Sequence, residues 1–374
     1  MLVLNVVGAR PNFMKIAPVV EAMREARLPQ YLVHTGQHYD RKMSSLFFEE
    51  LGIPVPDINL EVGSGSQAVQ TAEMLLRFEP VVLDTKPDLV VVVGDVNSTM
   101  ACTLVAVKLG IPVAHIEAGL RSFDRSMPEE INRLVTDSLS DLLFVSEPSG
   151  LDNLRSEGVP NEKVHFVGNV MIDTLLRHRE SARKSGVRER LGVDSGRRYA
   201  LVTLHRPSNV DDLPRLAGLL CALDELAREL PVVFPIHPRT RKNAMDAGFG
   251  PELGRLVTTD PLGYLEFLNL MSNAQVVITD SGGVQEETTV LGVPCLTVRE
   301  NTERPATIAC GTNRLVGTDP DVMLRAAREA LHGPRPESKL PALWDGNAAR
   351  RIVDVLMRTL SRSHADTVAP LCIY

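Results

Sequence analysis

The run Val276-Val277-Ile278-Thr279-Asp280-Ser281-Gly282-Gly283-Val284-Gln285-Glu286-Glu287 constrains this chain more than any other stretch. A short apolar strand ends in Ser-Gly-Gly, and a helical pattern starts at once. Glycines at such a junction let a ligand approach the backbone. The new helix aims its free N–H groups and positive dipole end at the same point. The junction therefore reads as a phosphate seat. Its glycine spacing is neither the dinucleotide fingerprint nor the P-loop, so the phosphate need not belong to NAD or be held as in an ATPase.

The same alternation runs through most of the chain. Leu2–Val7, Tyr31–His34, Asp88–Val93, Pro112–Ile116 and Leu142–Val145 read as strands, with helices over Pro18–Arg27, Ser98–Leu109 and Pro128–Ser140. The pattern restarts after Val170, with strands at Ala200–Leu204, Val232–Ile236, Leu256–Thr258, Val276–Thr279 and Cys295–Val298. Continuous apolar strands alternating with helices mean parallel sheets covered on both faces. With 374 residues, two α/β domains of doubly wound type are expected, at 1–170 and 171–347. The last helix, from about 348, is expected to pack back on the first domain. Ligands of such sheets sit beyond the carboxyl ends of the strands, which predicts a site in a cleft between the two sheets.

Composition excludes several partners. Net charge is −7, from 47 acidic and 40 basic residues, and no basic run exists, which argues against nucleic acid or an anionic membrane. No apolar stretch reaches spanning length, and Met1–Val7 reads as a buried first strand rather than a leader. The cysteines at 102, 221, 295, 310 and 372 show no metal-ligand spacing, and their odd number fits reduced thiols in a cytoplasm.

Most residues suited to chemistry fall just past a predicted strand. In the first half these are Arg10 and Lys15, Gln37-His38, Asp95, and Glu117 with Arg121. In the second they are His205-Arg206, His237, Ser281-Gly282-Gly283 and Glu303-Arg304. A random scatter would not favour one edge of both sheets. Arg10 and Lys15 together suit an anion, though Lys15 can equally be a solvated helix residue. Asp95 serves either a turn or chemistry. Glu117 beside a buried strand needs a partner or a raised pKa, and Arg121 is near enough to be that partner. Met127-Pro128-Glu129-Glu130 is a helix start, where Glu129 and Arg133 are one turn apart and can pair. His205 and His237 each have an arginine close by, which suits phosphate contact, and neither has zinc-ligand spacing, so no metal is expected. Arg304 suits a phosphate or ribose, with Glu303 or Glu287 on hydroxyls. Phe267 is a core residue by helical spacing unless a base stacks on it.

The ordered set Gly8-Ala9-Arg10-Pro11…Lys15, Gly94-Asp95, His115-Ile116-Glu117-Ala118-Gly119-Leu120-Arg121, Pro128-Glu129-Glu130-Ile131-Asn132-Arg133, Thr203-Leu204-His205-Arg206, Thr279–Glu287 and Glu303-Arg304-Pro305 resembles the non-hydrolysing UDP-N-acetylglucosamine 2-epimerases over about residues 3 to 318. The resemblance implies two Rossmann-like domains in the glycosyltransferase-B arrangement, a homodimer, and UDP bound mainly by the second domain. It implies that Ser281, Gly282, Gly283 and Glu287 hold phosphate and ribose, that Arg304 and Arg10 contact phosphates or sugar, and that Leu262 and Phe267 bracket the uracil. It implicates Asp95, Glu117, Glu129 and His205 in catalysis, with Lys15, Arg133 and His237 as further substrate contacts and no cofactor. Two stretches depart from the pattern: Ser208 replaces the Glu of His-Arg-x-Glu-Asn, and Gln37-His38 lacks the second Gln of substrate-activated members.

The chemistry implied is interconversion of UDP-GlcNAc and UDP-ManNAc for cell-surface polysaccharide. The proton on sugar carbon 2 is not acidic, so inversion without a nicotinamide needs another route, and the route the resemblance implies is anti elimination of UDP to a glycal and re-addition on the other face. That needs a carboxylate base and cations for the leaving diphosphate. The alternatives are a 2-epimerase of a modified UDP-N-acetyl sugar, a glycosyltransferase on the same scaffold, and a UDP-sugar sensor. A sensor gains nothing from three carboxylates around an anion.

Overall fold

In the computed structural model, which describes residues 1–36, 41–194, 196–334 and 339–368, the apolar runs are parallel strands. The side chains of residues 10, 41–45 and 362–368 also lie outside that description, as do Gln37, His38 and Cys372 entirely. The chain forms two compact units. One comprises Met1–Thr174 and the chain from Ala342, and the other comprises Leu175–Pro341.

Among the described residues the first unit has seven strands: β1 (Val3–Val7), β2 (Gln30–His34), β3 (Ile58–Asn59), β4 (Leu89–Val93), β5 (Val113–Ala118), β6 (Leu142–Val145) and β7 (Val164–Phe166). Their order is β3-β2-β1-β4-β5-β6-β7. Its helices are α1 (Arg10–Glu25), α2 (Arg41–Leu51), α3 (Gln67–Thr85), α4 (Asn97–Lys108), α5 (Pro128–Leu139) and α6 (Pro148–Ser156), and α7 (Val170–Arg183) carries the chain onward. The second unit has β8 (Ala200–Thr203), β9 (Val232–Pro235), β10 (Val257–Thr259), β11 (Val276–Thr279), β12 (Cys295–Thr297) and β13 (Asn313–Leu315), in the order β10-β9-β8-β11-β12-β13. Its helices are α8 (Val187–Arg190), α9 (Pro207–Val210), α10 (Leu213–Leu226), α11 (Pro238–Asp246), α12 (Gly250–Arg255), α13 (Tyr264–Asn273), α14 (Gly282–Leu291), α15 (Pro305–Ala309) and α16 (Pro320–His332), and α17 (Ala348–Val368) belongs to the first unit. Both are doubly wound α/β sheets of Rossmann type.

The short edge strands β3, β7 and β13, of two or three residues, carry too little periodicity to be read from sequence. Helix α1 begins at Arg10, not at the expected Pro18. Asn12 Oδ1 accepts from the Gly8 and Ala9 N–H groups at 3.3 and 3.0 Å and fixes the turn that starts it. Pro18 then sits inside the helix, where it cannot bond the Met14 carbonyl. The Thr174 hydroxyl supplies the missing donor at 2.6 Å.

Each unit has its own core. Leu4, Val6, Val90 and Val92 pack with Phe78 and Val82 of α3 in the first. Val202, Phe234 and Ile278 pack with Leu219 of α10 and Met323 of α16 in the second. In the first unit, buried Asp173 accepts from the Ala348 and Ala349 N–H groups at 3.2 and 2.8 Å and caps α17. Burial pushes its pKa up, and those two N–H donors only partly offset this, leaving it at about 6. Trp344, the single tryptophan, is buried and donates to the Ser146 carbonyl at 2.9 Å.

Gly168 has a φ of +86°, and a Cβ there would stand 2.1 Å from the Leu343 carbonyl oxygen, next to Trp344. Gly158 shares the left-handed backbone, at +79°, but faces open space. Gly168→Ala is expected to lower stability by roughly 1–3 kcal/mol more than Gly158→Ala. Urea unfolding followed by Trp344 fluorescence checks it.

Candidate functional site

Strand order reverses between β1 and β4 in the first unit and between β8 and β11 in the second. Ligands of such sheets bind beyond the carboxyl ends at these switch points. Several of the sequence-predicted residues lie at or near the carboxyl ends of these strands. In the first unit Gly94 and Asp95 follow β4, and Glu117 is the penultimate residue of β5. Lys15 of α1 reaches across and pairs with Glu117, Nζ to Oε1 at 2.8 Å, with both residues about 4% exposed. Gly94 adopts a φ of +67°, and a Cβ there would lie 2.8 Å from that Nζ. The turn therefore stays a glycine so that the lysine can pass.

Glu117 itself has a φ of +76°, and the register of β5 against β6 shifts between Ile116 and Ala118. A left-handed non-glycine residue costs roughly 1–3 kcal/mol and persists only where its surroundings enforce it. The bulge has a directional effect. Residues two apart on an unbroken strand share a face. His115 bonds Asp137 of α5, whereas Glu117 bonds Lys15 of α1. Right-handed crossovers place α1 and α5 on opposite faces of this sheet. The bulge turns Glu117 away from the His115 face.

Asp95 is held by the next helix. Arg133 of α5 donates to Asp95 Oδ2 from Nε and Nη2 at 3.2 and 2.8 Å, and Asn132 donates to its carbonyl at 2.9 Å. The Asp95 side chain is 19% exposed. Arg133 is buried and also pairs with Glu130 at 2.5 Å. Glu130 accepts from Ser122 N, Ser122 Oγ and Phe123 N, which fixes the loop between β5 and α5.

In the second unit Asp280 sits at the switch point, fully buried. It accepts from the His205 and Arg206 N–H groups and from Asn209 Nδ2, and it faces His205 Nδ1 at 2.9 Å. Burial alone would raise its pKa. The His205 ring and these donors outweigh burial and hold the carboxyl below the ordinary range. His205 keeps 52% of its side chain exposed. Ser281 stands at the N-cap position of α14, which begins at Gly282, without a capping bond from its side chain. Arg304 leans on that turn: a Cβ on Gly282 would lie 3.2 Å from its guanidinium carbon. Arg304 is buried and pairs with Glu286 at 3.0 Å and Glu303 at 3.1 Å. Arg299 and Arg206 also face Glu303, at 2.7 and 3.5 Å. Tyr264 donates to Glu287 at 2.8 Å, so the segment carrying buried Leu262 and half-buried Phe267 is tied to α14. His237 is exposed at the start of α11, its Nδ1 accepting from the Arg239 N–H at 3.2 Å.

A sequence model of the UDP-N-acetylglucosamine 2-epimerase family matches residues 21–357. The chain belongs to that family. Its members are isomerases, and this chain is one of them. The UDP-N-acetylglucosamine 2-epimerase of Methanocaldococcus jannaschii is 42% identical over 94% of this chain and 97% of its own length. The UDP-2,3-diacetamido-2,3-dideoxy-D-glucuronate 2-epimerase of Pseudomonas aeruginosa is also 42% identical, over 96% of this chain and all of its own. The crystal structure of the M. jannaschii enzyme, solved with UDP-GlcNAc and UDP, superimposes with a TM-score of 0.90 over 96% of this chain and 100% of that one. A glycosyltransferase of kitacinnamycin, at 17% identity and a TM-score of 0.55, shares the fold alone.

Two pairings differ from the sequence expectation in this family member. Arg121 does not partner Glu117. It bonds Asp137 at 2.7 Å and Glu157 through two nitrogens at 2.7 Å, because the turn at Gly119 carries it toward α5 and α6. Arg133 does not pair with half-buried Glu129 but with Glu130 and Asp95. Lys15, which could have been solvated, is buried. Sequence reasoning missed Asp137, Glu130, Asn132 and Asp280 as holders of the site. All four lie within the quoted motifs or one turn beyond; the bonds of Asp137, Asn132 and Asp280 are long-range, and those of Glu130 reach only 3 to 8 residues along the chain. The Arg10 side chain lies outside the described residues. Among the described residues, no group of three or more His, Cys, Asp or Glu side chains could hold a metal ion.

Burial pushes the Glu287 carboxyl up to about 7, and the Tyr264 hydroxyl opposes that rise. Tyr264→Phe is therefore expected to raise it further, as read by carboxyl carbon NMR. In the folded state Glu287 holds its proton to higher pH than when unfolded, so its contribution to stability is present below about 4.5 and lost as pH rises through about 7. Stability measured across that window falls with pH from this group.

Proposed function

We propose that the chain interconverts UDP-N-acetylglucosamine and UDP-N-acetylmannosamine, inverting sugar carbon 2 without a cofactor and supplying cell-surface polysaccharide synthesis. The observation that carries the reading is the pair of strand-end acids in the first unit, each presented by a buried cation: Glu117 by Lys15, Asp95 by Arg133. In this reading a carboxylate takes the proton from carbon 2, with Asp95, Glu117 and Glu129 as the available acids. The C1–O bond to UDP breaks, its electron pair leaves with the diphosphate, and a C1–C2 double bond remains. UDP then re-adds at C1 as carbon 2 takes a proton on its opposite face. His205, Arg10 and Arg304 stabilise the leaving diphosphate, and the Ser281–Gly283 turn seats it at the start of α14. Glu287 accepts from ribose, Leu262 and Phe267 flank the base, and Lys15, Arg133 and His237 complete the contacts.

A second substrate has a specific observation behind it. The P. aeruginosa relative that acts on a diacetamido glucuronate is as similar as the M. jannaschii enzyme. Proton NMR in D₂O with UDP-GlcNAc and no added nicotinamide decides between them. UDP-ManNAc carrying deuterium at carbon 2 is the expected product. An unchanged spectrum, with turnover of the diacetamido uronate, selects the other substrate. Asp95→Asn and Glu117→Gln are each expected to lower turnover by about 10²-fold or more while UDP binding is largely kept. Near-normal rates in both would remove these acids from the chemistry.

We also propose a homodimer. Val69, Leu76 and Leu83 recur every seven residues on α3, and all are more than half exposed (56, 68 and 56%). Such a stripe on a soluble surface marks an interaction face. Leu76→Glu is expected to convert dimer to monomer in light scattering, whereas a monomeric parent would refute the dimer. Among the described residues no helix is long and apolar enough to cross a membrane.

A further inference from the structure

Asp137 touches neither Asp95 nor Glu117 through any bond described above, yet both acids depend on what it holds. It lies on α5, one turn beyond Arg133, and is 2% exposed. Its Oδ1 faces His115 Nδ1 at 2.6 Å. Its Oδ2 accepts from the Gly119 N–H at 3.0 Å and from Arg121 Nη1 at 2.7 Å. His115 and Gly119 are the residues two before and two after Glu117. The two oxygens of one carboxylate therefore grip both sides of the bulge that carries the left-handed glutamate. His115 extends the grip. Its Nε2 lies 2.8 Å from the Gly94 carbonyl, one residue before Asp95. A carbonyl can only accept, so Nε2 donates there.

We propose that Asp137 is a positioning residue for the reaction: it sets the Glu117 bulge and, through His115, the Gly94-Asp95 turn in one register against α5. Arg133 and Asn132, on the same helix, bind the Asp95 side chain and carbonyl. Helix α5 thus serves as a ruler with two marks, one for each acid. The enforcement that a left-handed Glu117 requires comes from Asp137 at Gly119, together with Asn153, which donates to the Gly119 carbonyl at 2.9 Å. Gly119 can be only glycine here, since its φ is +82° and a Cβ would lie 2.5 Å from the Gly150 carbonyl oxygen. This inference rests on the functional reading above for its kinetic test, but not for its structural one.

The test uses the full chain with Asp137→Asn. The amide keeps a carbonyl for His115 but turns its NH₂ toward two donors, Gly119 N–H and Arg121. Turnover, corrected for active sites by UDP titration, is expected to fall roughly 30- to 100-fold, as for a reacting group displaced by about 1 Å. The KM for the UDP-sugar and the Kd for UDP are expected to stay within about threefold. The Gly119 amide is expected to exchange its hydrogen about tenfold faster. His115→Gln releases Gly94 while leaving Asp137 on Gly119 and Arg121. It is expected to lower kcat about tenfold with KM unchanged. A merely structural role would lower the unfolding temperature of Asp137→Asn and leave its corrected kcat intact, and that result overturns the proposal. So does a KM that rises in step with the loss of kcat. If Asp137→Asn does not fold, His115→Gln decides by the same split. If the wild type moves neither UDP-GlcNAc nor the diacetamido uronate, the functional reading fails by itself. The Gly119 exchange rate then still decides the clamp, and an unchanged rate overturns it.

Discussion

Both sheets are parallel throughout, and that constraint governs everything at their edges. A parallel neighbour is reached only by a crossover, so every strand in a unit points the same way and every carboxyl end lies on one side. Where strand order reverses, the crossovers leave to opposite faces and the edge opens. Polar groups delivered there stand close together on a partly dry surface. Each must be paired or remain reachable by solvent or a ligand.

The acids at these edges divide by how they meet that demand. Asp137 and Asp280 are almost wholly buried and are filled by turn N–H groups, a histidine and a further donor. Their bonds go to the backbone of the turns, so their work is to shape the loop. Asp95 keeps part of its side chain exposed, and His205 about half. Asp137 and Asp280 therefore frame the loops, whereas Asp95 and His205 stay partly open to solvent. Glu287 stands between the two classes. It is buried, yet one tyrosine hydroxyl is too little to hold it ionised, and its pKa rises to about 7.

Much of this was legible in the sequence because strand ends are local events. A run such as Val276–Thr279 followed by Ser-Gly-Gly reveals both its strand and its turn. Lys15, Asp95, Glu117, His205 and Arg304 all stand where the pattern puts them. Partnership was less legible, since it depends on direction. Arg121 is four residues from Glu117, but the left-handed turns at Glu117 and Gly119 send it elsewhere. Glu129 and Glu130 are equivalent in sequence, and only the phase of α5 decides that Glu130 reaches Arg133. Lys15 and Glu117 are 102 residues apart, a pairing that only the strand order β1-β4-β5 creates.

Glu117 shows why local rules fail at such a place. Asparagine and glycine adopt a φ of +76° with less strain, and glutamate is a poor choice on backbone grounds alone. An unbroken β5 would set residue 117 on the His115 side, facing α5, where Asp137 already stands. Two carboxylates would then share one histidine and one arginine. The bulge removes that conflict and delivers Glu117 to Lys15 across the sheet. Such a strain survives only if the surroundings restrain both flanks of the residue, and His115 and Gly119 are the flanks that Asp137 holds. The backbone strain and the buried carboxylate are therefore one device, and neither is explained without the other.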